Sequence, residues 1–227
     1  MGTTLVAMSS TKGRSFSVGT AKATGFVPVA FAVPTENERP FVLDMATSVV
    51  PIGKMEVYRR HSKPVPVGWA IDEKSSPALD AGSVMRCINE TKRGGLLPLG
   101  GLEETAGYKG YGLSVLVDIL CGILPAAAYG PYVGTPEDPK PSNIGHFLAA
   151  IDVNAFAPLD EFRKRMDVMI KTIRDSAKAN DQDRIYIHGE KEWELEERYR
   201  KAGIPLYFKV WESLRDLANQ LHLEFNL

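Results

Sequence analysis

The hydrophobic pattern changes its period about two thirds of the way along this chain, and that change restricts the fold more than any single motif. Up to about residue 156 the apolar residues come in short runs broken by proline and glycine. Beyond that point they recur three and four apart between charges, the spacing of amphipathic helices. Thr4-Leu5-Val6-Ala7-Met8, Phe26 to Val33 and Phe41 to Met45 read as strands, and Phe147 to Ile151 as a later one. Pro28 interrupts the second run and Pro34 closes it. A residue without an amide hydrogen fits an edge strand or a bulge better than the middle of a sheet.

Between the strands, Thr47-Ser48 is predicted to cap a helix from Val49 to Arg60, with Pro51 tolerated in its first turn. Met55 and Tyr58 would face a core. His61 to Glu90 reads mainly as loop in its proline-rich first half, with Gly68 to Asp72 a short ordered segment. Leu113 to Cys121 reads as a buried helix, although Gly110 and Gly112 near its start each cost roughly 1 kcal/mol against alanine. Glycine there points to the close approach of another backbone or of a ligand, or equally to tight packing against a helix. Asp118, inside the apolar run, needs a hydrogen-bonding partner. In the last third, Phe162, Met166, Met169, Ile170 and Ile173 share a helical face after a start near Pro158. Arg184 to Ile187 reads as one more strand, and Glu190 to Ala202 and Phe208 to Gln220 as helices. This order predicts an α+β or mixed α/β fold, with a mixed-sheet domain over residues 1–156 and a largely helical segment packed on its core over residues 157–227.

Composition removes several classes of function. The 27 basic and 28 acidic residues leave a formal net charge of -1, and without a basic run there is little to neutralise phosphates, so no nucleic-acid partner is expected. The two cysteines, Cys87 and Cys121, make no disulfide framework. The longest apolar stretch, Leu113 to Tyr129, is interrupted by Ser114, Asp118, Gly122 and Pro125, which favours a buried helix over a membrane span. Met1 to Thr4 has no basic n-region, so no export signal is expected and the cytoplasm is the expected location.

The sequence has no Gly-x-Gly-x-x-Gly after a strand, no phosphate-binding P-loop, no His-Glu-x-x-His and no cysteine pair with zinc spacing, so neither a Rossmann domain nor a metal site is expected. Three constellations remain. In Asp44-Met45-Ala46-Thr47-Ser48 a strand turns into a helix, and its hydroxyls and amides suit either a plain cap or the reception of a phosphate. Lys54, farther along, either reaches back to an anion or stays solvated. In Gly107-Tyr108-Lys109-Gly110-Tyr111-Gly112, one cation and two phenols stand on a glycine-rich backbone. This is either a ligand contact, with Lys109 a point charge for phosphate or carboxylate, or a tight structural turn. His188-Gly189-Glu190 precedes a helix, where Glu190 complements the dipole, and reads as a plain helix start or as a turn presenting amides to a cofactor.

Taken together, these blocks resemble the malate/L-lactate dehydrogenase family that lacks the Rossmann fold. The residues that carry the resemblance are Pro28-Val29-Ala30-Phe31-Ala32-Val33-Pro34, Phe41 to Ser48 with Gly53-Lys54, Gly68-Trp69-Ala70, Leu96 to Gly101, Gly107 to Leu113 and Gly189-Glu190. The resemblance implies an oxidoreductase that passes a hydride between NAD or NADP and a small 2-hydroxy or 2-keto acid such as malate or lactate. It also implies a homodimer built on a non-Rossmann mixed sheet with flanking helices and a helical C-terminal part. Asp44 and Lys109 become the catalytic candidates, and Asp44, Met45, Ala46, Thr47, Ser48, Lys54, His188, Gly189 and Glu190 the cofactor contacts. Two departures stand out: Gly25-Phe26-Val27-Pro28 replaces the Gly-Thr-Asn-Pro usual in relatives, and His188 stands where they commonly have proline. Relatives also carry a preceding helical region with the proton-donating histidine. The expectation is that this chain starts after it, and that activity falls by about 10² to 10⁴ unless another chain supplies the donor. The alternative is a non-catalytic member that keeps cofactor binding or dimerisation.

Overall fold

Short apolar runs separated by turn residues give this chain its sheets. The computed structural model describes residues 3–9, 28–91, 93–134, 139 and 141–226. Among them are six strands: β1 (Thr3–Ser9), β2 (Pro28–Val33), β3 (Phe41–Ala46), β4 (Ala70–Ile71), β5 (Gly95–Leu96) and β6 (His146–Asp152). The expected start of the second strand, at Phe26 and Val27, lies outside the described residues. Four strands form one antiparallel sheet in the order β3-β2-β1-β6. The prolines therefore do not mark an edge strand, since β2 lies between β1 and β3. Pro28 is its first residue and faces Ala46 of β3, while pairing with β1 begins one residue later, at Val29 and Met8. Pro34 follows the last residue. The missing amide hydrogens thus fall where the ladder ends, the other position at which a sheet accepts proline.

β4 and β5 make a second, two-stranded antiparallel sheet. Against it pack α1 (Ile52–Arg60) and α2 (Ala81–Arg86), and the buried residues Met55, Val65, Ala70, Val84 and Leu96 form the main core. Fully burying a side chain such as Met55 or Leu96 contributes about 1.5–3 kcal/mol. Tyr58 completes the inner face of α1, its ring tilted on Trp69 at 5.1 Å. The helix α2 lies in the second half of the 61–90 stretch, where no element was expected. It starts at Asp80, whose carboxylate accepts from the Ser83 amide at 2.6 Å, and runs on into a π-helical turn, Cys87–Thr91.

Next comes α3 (Gly107–Asp118), extended by the π-helical turn Ile119–Ile123. Its buried Val117, with Cys121, packs on Phe147 of β6. Then α4 (Leu159–Arg174) forms where the apolar spacing placed a helix, with Ile170 buried and Phe162 and Met166 half-buried, while Met169 and Ile173 of the same expected face are exposed. The residues expected as a strand, 184–187, take no regular secondary structure and join no ladder. Instead the Val42 amide on the outer edge of β3 donates to the carbonyl of His188, one residue beyond them, at 3.1 Å.

Backbone contacts divide the chain into two units, Met1–His188 and Gly189–Leu227. The second holds α5 (Glu190–Ala202), which ends at Gly203 with a positive φ, and α6 (Phe208–Gln220), where Trp211 lies between Phe208 and Phe225. The architecture is mixed α/β, with open sheets, flanking helices and a helical C-terminal region. No helix among the described residues is long and apolar enough to cross a membrane.

Candidate functional site

The strand β3 carries the first candidate block. Asp44 is exposed and faces Ala30 in the ladder, and Met45 and Ala46 are half-buried. Thr47 and Ser48 are buried and cap nothing: α1 starts at Ile52 with Pro51 in the cap position and no side-chain cap bond. The two hydroxyls come too early for that role, and the backbone there pairs with a distant segment. The Leu99 amide donates to the Thr47 carbonyl at 2.8 Å, the Val49 amide donates to the Leu97 carbonyl at 3.0 Å, and Ser48 stands opposite Pro98. The Ser48 hydroxyl donates to the carbonyl of Val50 at 2.8 Å. This corrects the reading of Thr47-Ser48 as the cap of that helix. The turn is a short antiparallel contact ahead of the helix, which engages the Thr47 carbonyl, the Val49 amide and both hydroxyls.

The glycine-rich block opens α3, after Ala106 in the left-handed region (φ 64°). A Cβ on Gly110 would overlap the backbone of Leu99, so this glycine answers to the approach of one backbone to another. Gly112 meets nothing within 4 Å. Lys109 and Tyr108 are exposed and Tyr111 is half-buried. One turn on, the buried Ser114 donates to the Gly110 carbonyl at 2.9 Å, and its hydroxyl oxygen is 2.8 Å from that of Thr47. The segments around Thr47, Leu99 and Gly110 are therefore brought together, although they are far apart in sequence.

Other candidates sit elsewhere. Lys54 is exposed, with its ammonium 5.9 Å from the centroid of the Tyr58 ring. His188 lies at the start of β3, its ring 5.5 Å from that of Phe41. Gly189 (φ 99°) and Glu190 belong to the second unit, where they open α5 and are buried. Asp118 is buried near Gly130. Among the described residues no cluster of histidine, cysteine, aspartate or glutamate has the makings of a metal site.

Sequence reading missed Asp167. This buried carboxylate of α4 accepts from the amides of Glu36 (3.1 Å), Asn37 (2.8 Å) and Glu38 (3.3 Å) and from the side-chain amide of Asn37 (3.2 Å), so it holds the loop between β2 and β3. Burial pushes its pKa up. The backbone donors, followed by the Asn37 side chain, outweigh that and hold it below the usual carboxylate value. Arg163 donates to the Thr35 carbonyl at 2.7 Å, and Arg174 pairs with Glu38 at 3.1 Å. The only sequence signal was an acid at a helical position next to the apolar face.

The model of one family, malate/L-lactate dehydrogenase, matches residues 3–215. The chain belongs to that family. It is 47% identical over 205 residues to a malate dehydrogenase of Pyrococcus abyssi, which covers 89% of this chain and 54% of that protein. It is 32% identical over 201 residues to a malate/(S)-sulfolactate dehydrogenase of Methanothermus fervidus, covering 88% of this chain and 54% of that one. Among solved structures, the malate dehydrogenase of Entamoeba histolytica superposes with a TM-score of 0.88 at 28% identity, over 100% of this chain and 63% of that one. This malate/L-lactate dehydrogenase family member spans about half the length of the curated relatives it matches. The blocks on which the resemblance was read, from Pro28 to Glu190, all lie within the matched residues.

Proposed function

We propose that this chain is the nicotinamide-contacting portion of an oxidoreductase that moves a hydride between NAD or NADP and a small 2-hydroxy acid, or its 2-keto form, such as malate or lactate. The observation that carries the reading is the match to the malate/L-lactate dehydrogenase family over residues 3–215. The names of several relatives share a chemistry. Malate, sulfolactate and ureidoglycolate, on which they act, each place a hydroxyl beside a carboxylate, and one relative is an NAD(+)-dependent enzyme.

The residues of the first unit fit such a ligand in part. Lys109 and Lys54 are exposed cations, able to meet phosphate or carboxylate as point charges. Asp44 is an exposed carboxylate at the sheet edge, and the half-buried Met45 and Ala46 offer an apolar wall beside it. Thr47 and Ser48 do not fit as direct contacts, because both are buried and their hydroxyls are already engaged. When bound, the nicotinamide ring gives or takes the hydride. In this reading Lys109 holds the substrate carboxylate, Asp44 orients the cofactor or the reacting oxygen, and His188, beside β3, is a further cofactor contact. The working form is a homodimer.

Titrating the purified chain with NADH and with NADPH, followed by nicotinamide fluorescence, tests the reading. It predicts saturable binding of at least one of the two, followed by oxidation on adding oxaloacetate or pyruvate. Binding of neither cofactor overturns the assignment.

A further inference from the structure

We propose that Thr47 and Ser114 are positioning residues, which act by fixing the Asp44–Ala46 wall against the start of α3. The inference rests on the cofactor reading and adds to it the device that sets the geometry of the site.

The two hydroxyls belong to a closed circuit. The Thr47 carbonyl accepts from the Leu99 amide at 2.8 Å, and the Leu99 backbone lies against Gly110 where no Cβ fits. The Gly110 carbonyl accepts from the Ser114 hydroxyl at 2.9 Å, and Ser114 and Thr47 are 2.8 Å apart, oxygen to oxygen. Each hydroxyl carries one hydrogen. Both are satisfied when Ser114 donates to Gly110 and accepts from Thr47. Thr47 is 1% exposed and Ser114 0%, so water cannot take over either role.

The circuit sits between the candidate groups. Met45 and Ala46 immediately precede Thr47, and Lys109 immediately precedes Gly110. β3 is an edge strand, paired in the sheet only to β2, and its last ladder pair is Ala46 with Pro28, a residue that cannot donate. β2 holds Asp44, Met45 and Ala46 from one side only, and the chain leaving Ala46 is next held at Thr47, through the Leu99 amide and the Ser114 hydroxyl. A displacement of about 1 Å in a positioning element can cost up to a hundredfold in function.

The test measures NADH and NADPH affinity for the whole chain and for Thr47→Val, Ser114→Ala, the double variant and Thr47→Ser, with Asp80→Ala as a destabilised control that removes the α2 cap and takes no part in the circuit. Thr47→Val and Ser114→Ala should each weaken the cofactor about tenfold. The double variant should be no worse than Ser114→Ala alone, which already removes both hydroxyl bonds, since one bond cannot be lost twice. Thr47→Ser, which keeps the hydroxyl, should stay within about twofold of the parent, and Asp80→Ala should bind as the parent does. If Thr47→Val does not fold, Ser114→Ala decides. Undiminished affinity in Ser114→Ala, or an equal loss in Asp80→Ala, overturns the proposal and leaves the cofactor reading standing. Failure of the parent chain to bind either cofactor removes both.

Discussion

β3 is anchored at its two ends by different chemistry. Ahead of it, the loop from Thr35 to Glu38 wraps a buried carboxylate, Asp167, which accepts three backbone amides and one side-chain amide. Behind it, a neutral circuit of hydroxyls and backbone joins Thr47, Leu99, Gly110 and Ser114, with no charge anywhere in it. The first anchor is made of charge-assisted bonds, about twice as strong as neutral ones, and it titrates. The second depends on shape, because the backbones meet only where a side chain is absent. One anchor is adjustable by pH and the other is not, and the proposed site adjoins the one that is not.

The shape-dependent anchor should be the more costly to break. Gly110→Ala gains up to about 1 kcal/mol of helix propensity, yet its methyl would overlap backbone atoms of Leu99, which cannot swing aside as a side-chain end does. The clash decides the sign. We expect a net loss of about 3 kcal/mol in urea unfolding, the upper range for overpacking. Stability equal to that of the parent would mean that Leu99 and Gly110 can separate freely.

Asp167→Asn should come next, at about 2 kcal/mol near neutral pH, since an amide in the cradle turns donors toward donors. The carboxyl's folded pKa is lowered, so its contribution is complete above the unfolded value of about 3.9 and is lost as pH falls from there through the folded value. Unfolding measured from pH 7 down to pH 2 should show the gap between parent and variant closing below about pH 4. A gap that stays constant over that range would show that the cradle does not depend on the charge.

How much of this was legible in the sequence depended on distance along the chain. The helices α5 and α6 run as expected because their apolar spacing and the Gly203 and Pro205 stop are local signals. The four strands of the larger sheet were legible too, as short apolar runs bounded by turn residues, whereas β5 falls in a stretch that reads as a bend. Arg184 to Ile187 looked the same locally and forms no ladder, since pairing is settled by the partner. Thr47-Ser48 before a proline looks like a cap. The partner that claims its backbone, Leu97 to Leu99, lies about fifty residues on, and the six residues of α2 are too few to show a helical period. Asp167 was invisible for the same reason, its donors lying 129 to 131 residues upstream. The site blocks were found as motifs, but the bonds that hold them together join positions no local window contains.

The neutral anchor can also be weakened without overpacking. Ser114→Ala leaves the buried Thr47 hydroxyl without its partner and should cost about 1–2 kcal/mol. Because no group in the circuit titrates, this loss should be the same at pH 7 and at pH 3, where the Asp167 gap has begun to close. A loss that shrinks on acidification would tie the hydroxyl pair to an ionisable neighbour and dissolve the contrast between the two anchors.

Gly112 supplies the smallest effect, with the opposite sign. It shares the glycine-rich motif and the helix with Gly110, two residues away, but a Cβ there meets nothing within 4 Å, and its conformation is helical. Nothing then opposes the propensity gain, and Gly112→Ala should stabilise the chain by roughly 0.5–1 kcal/mol. Urea unfolding of the two single alanine variants should move the midpoint in opposite directions. Were both to destabilise, the motif would be constrained as a whole; a split places the constraint at the one position where α3 lies on the backbone of Leu99.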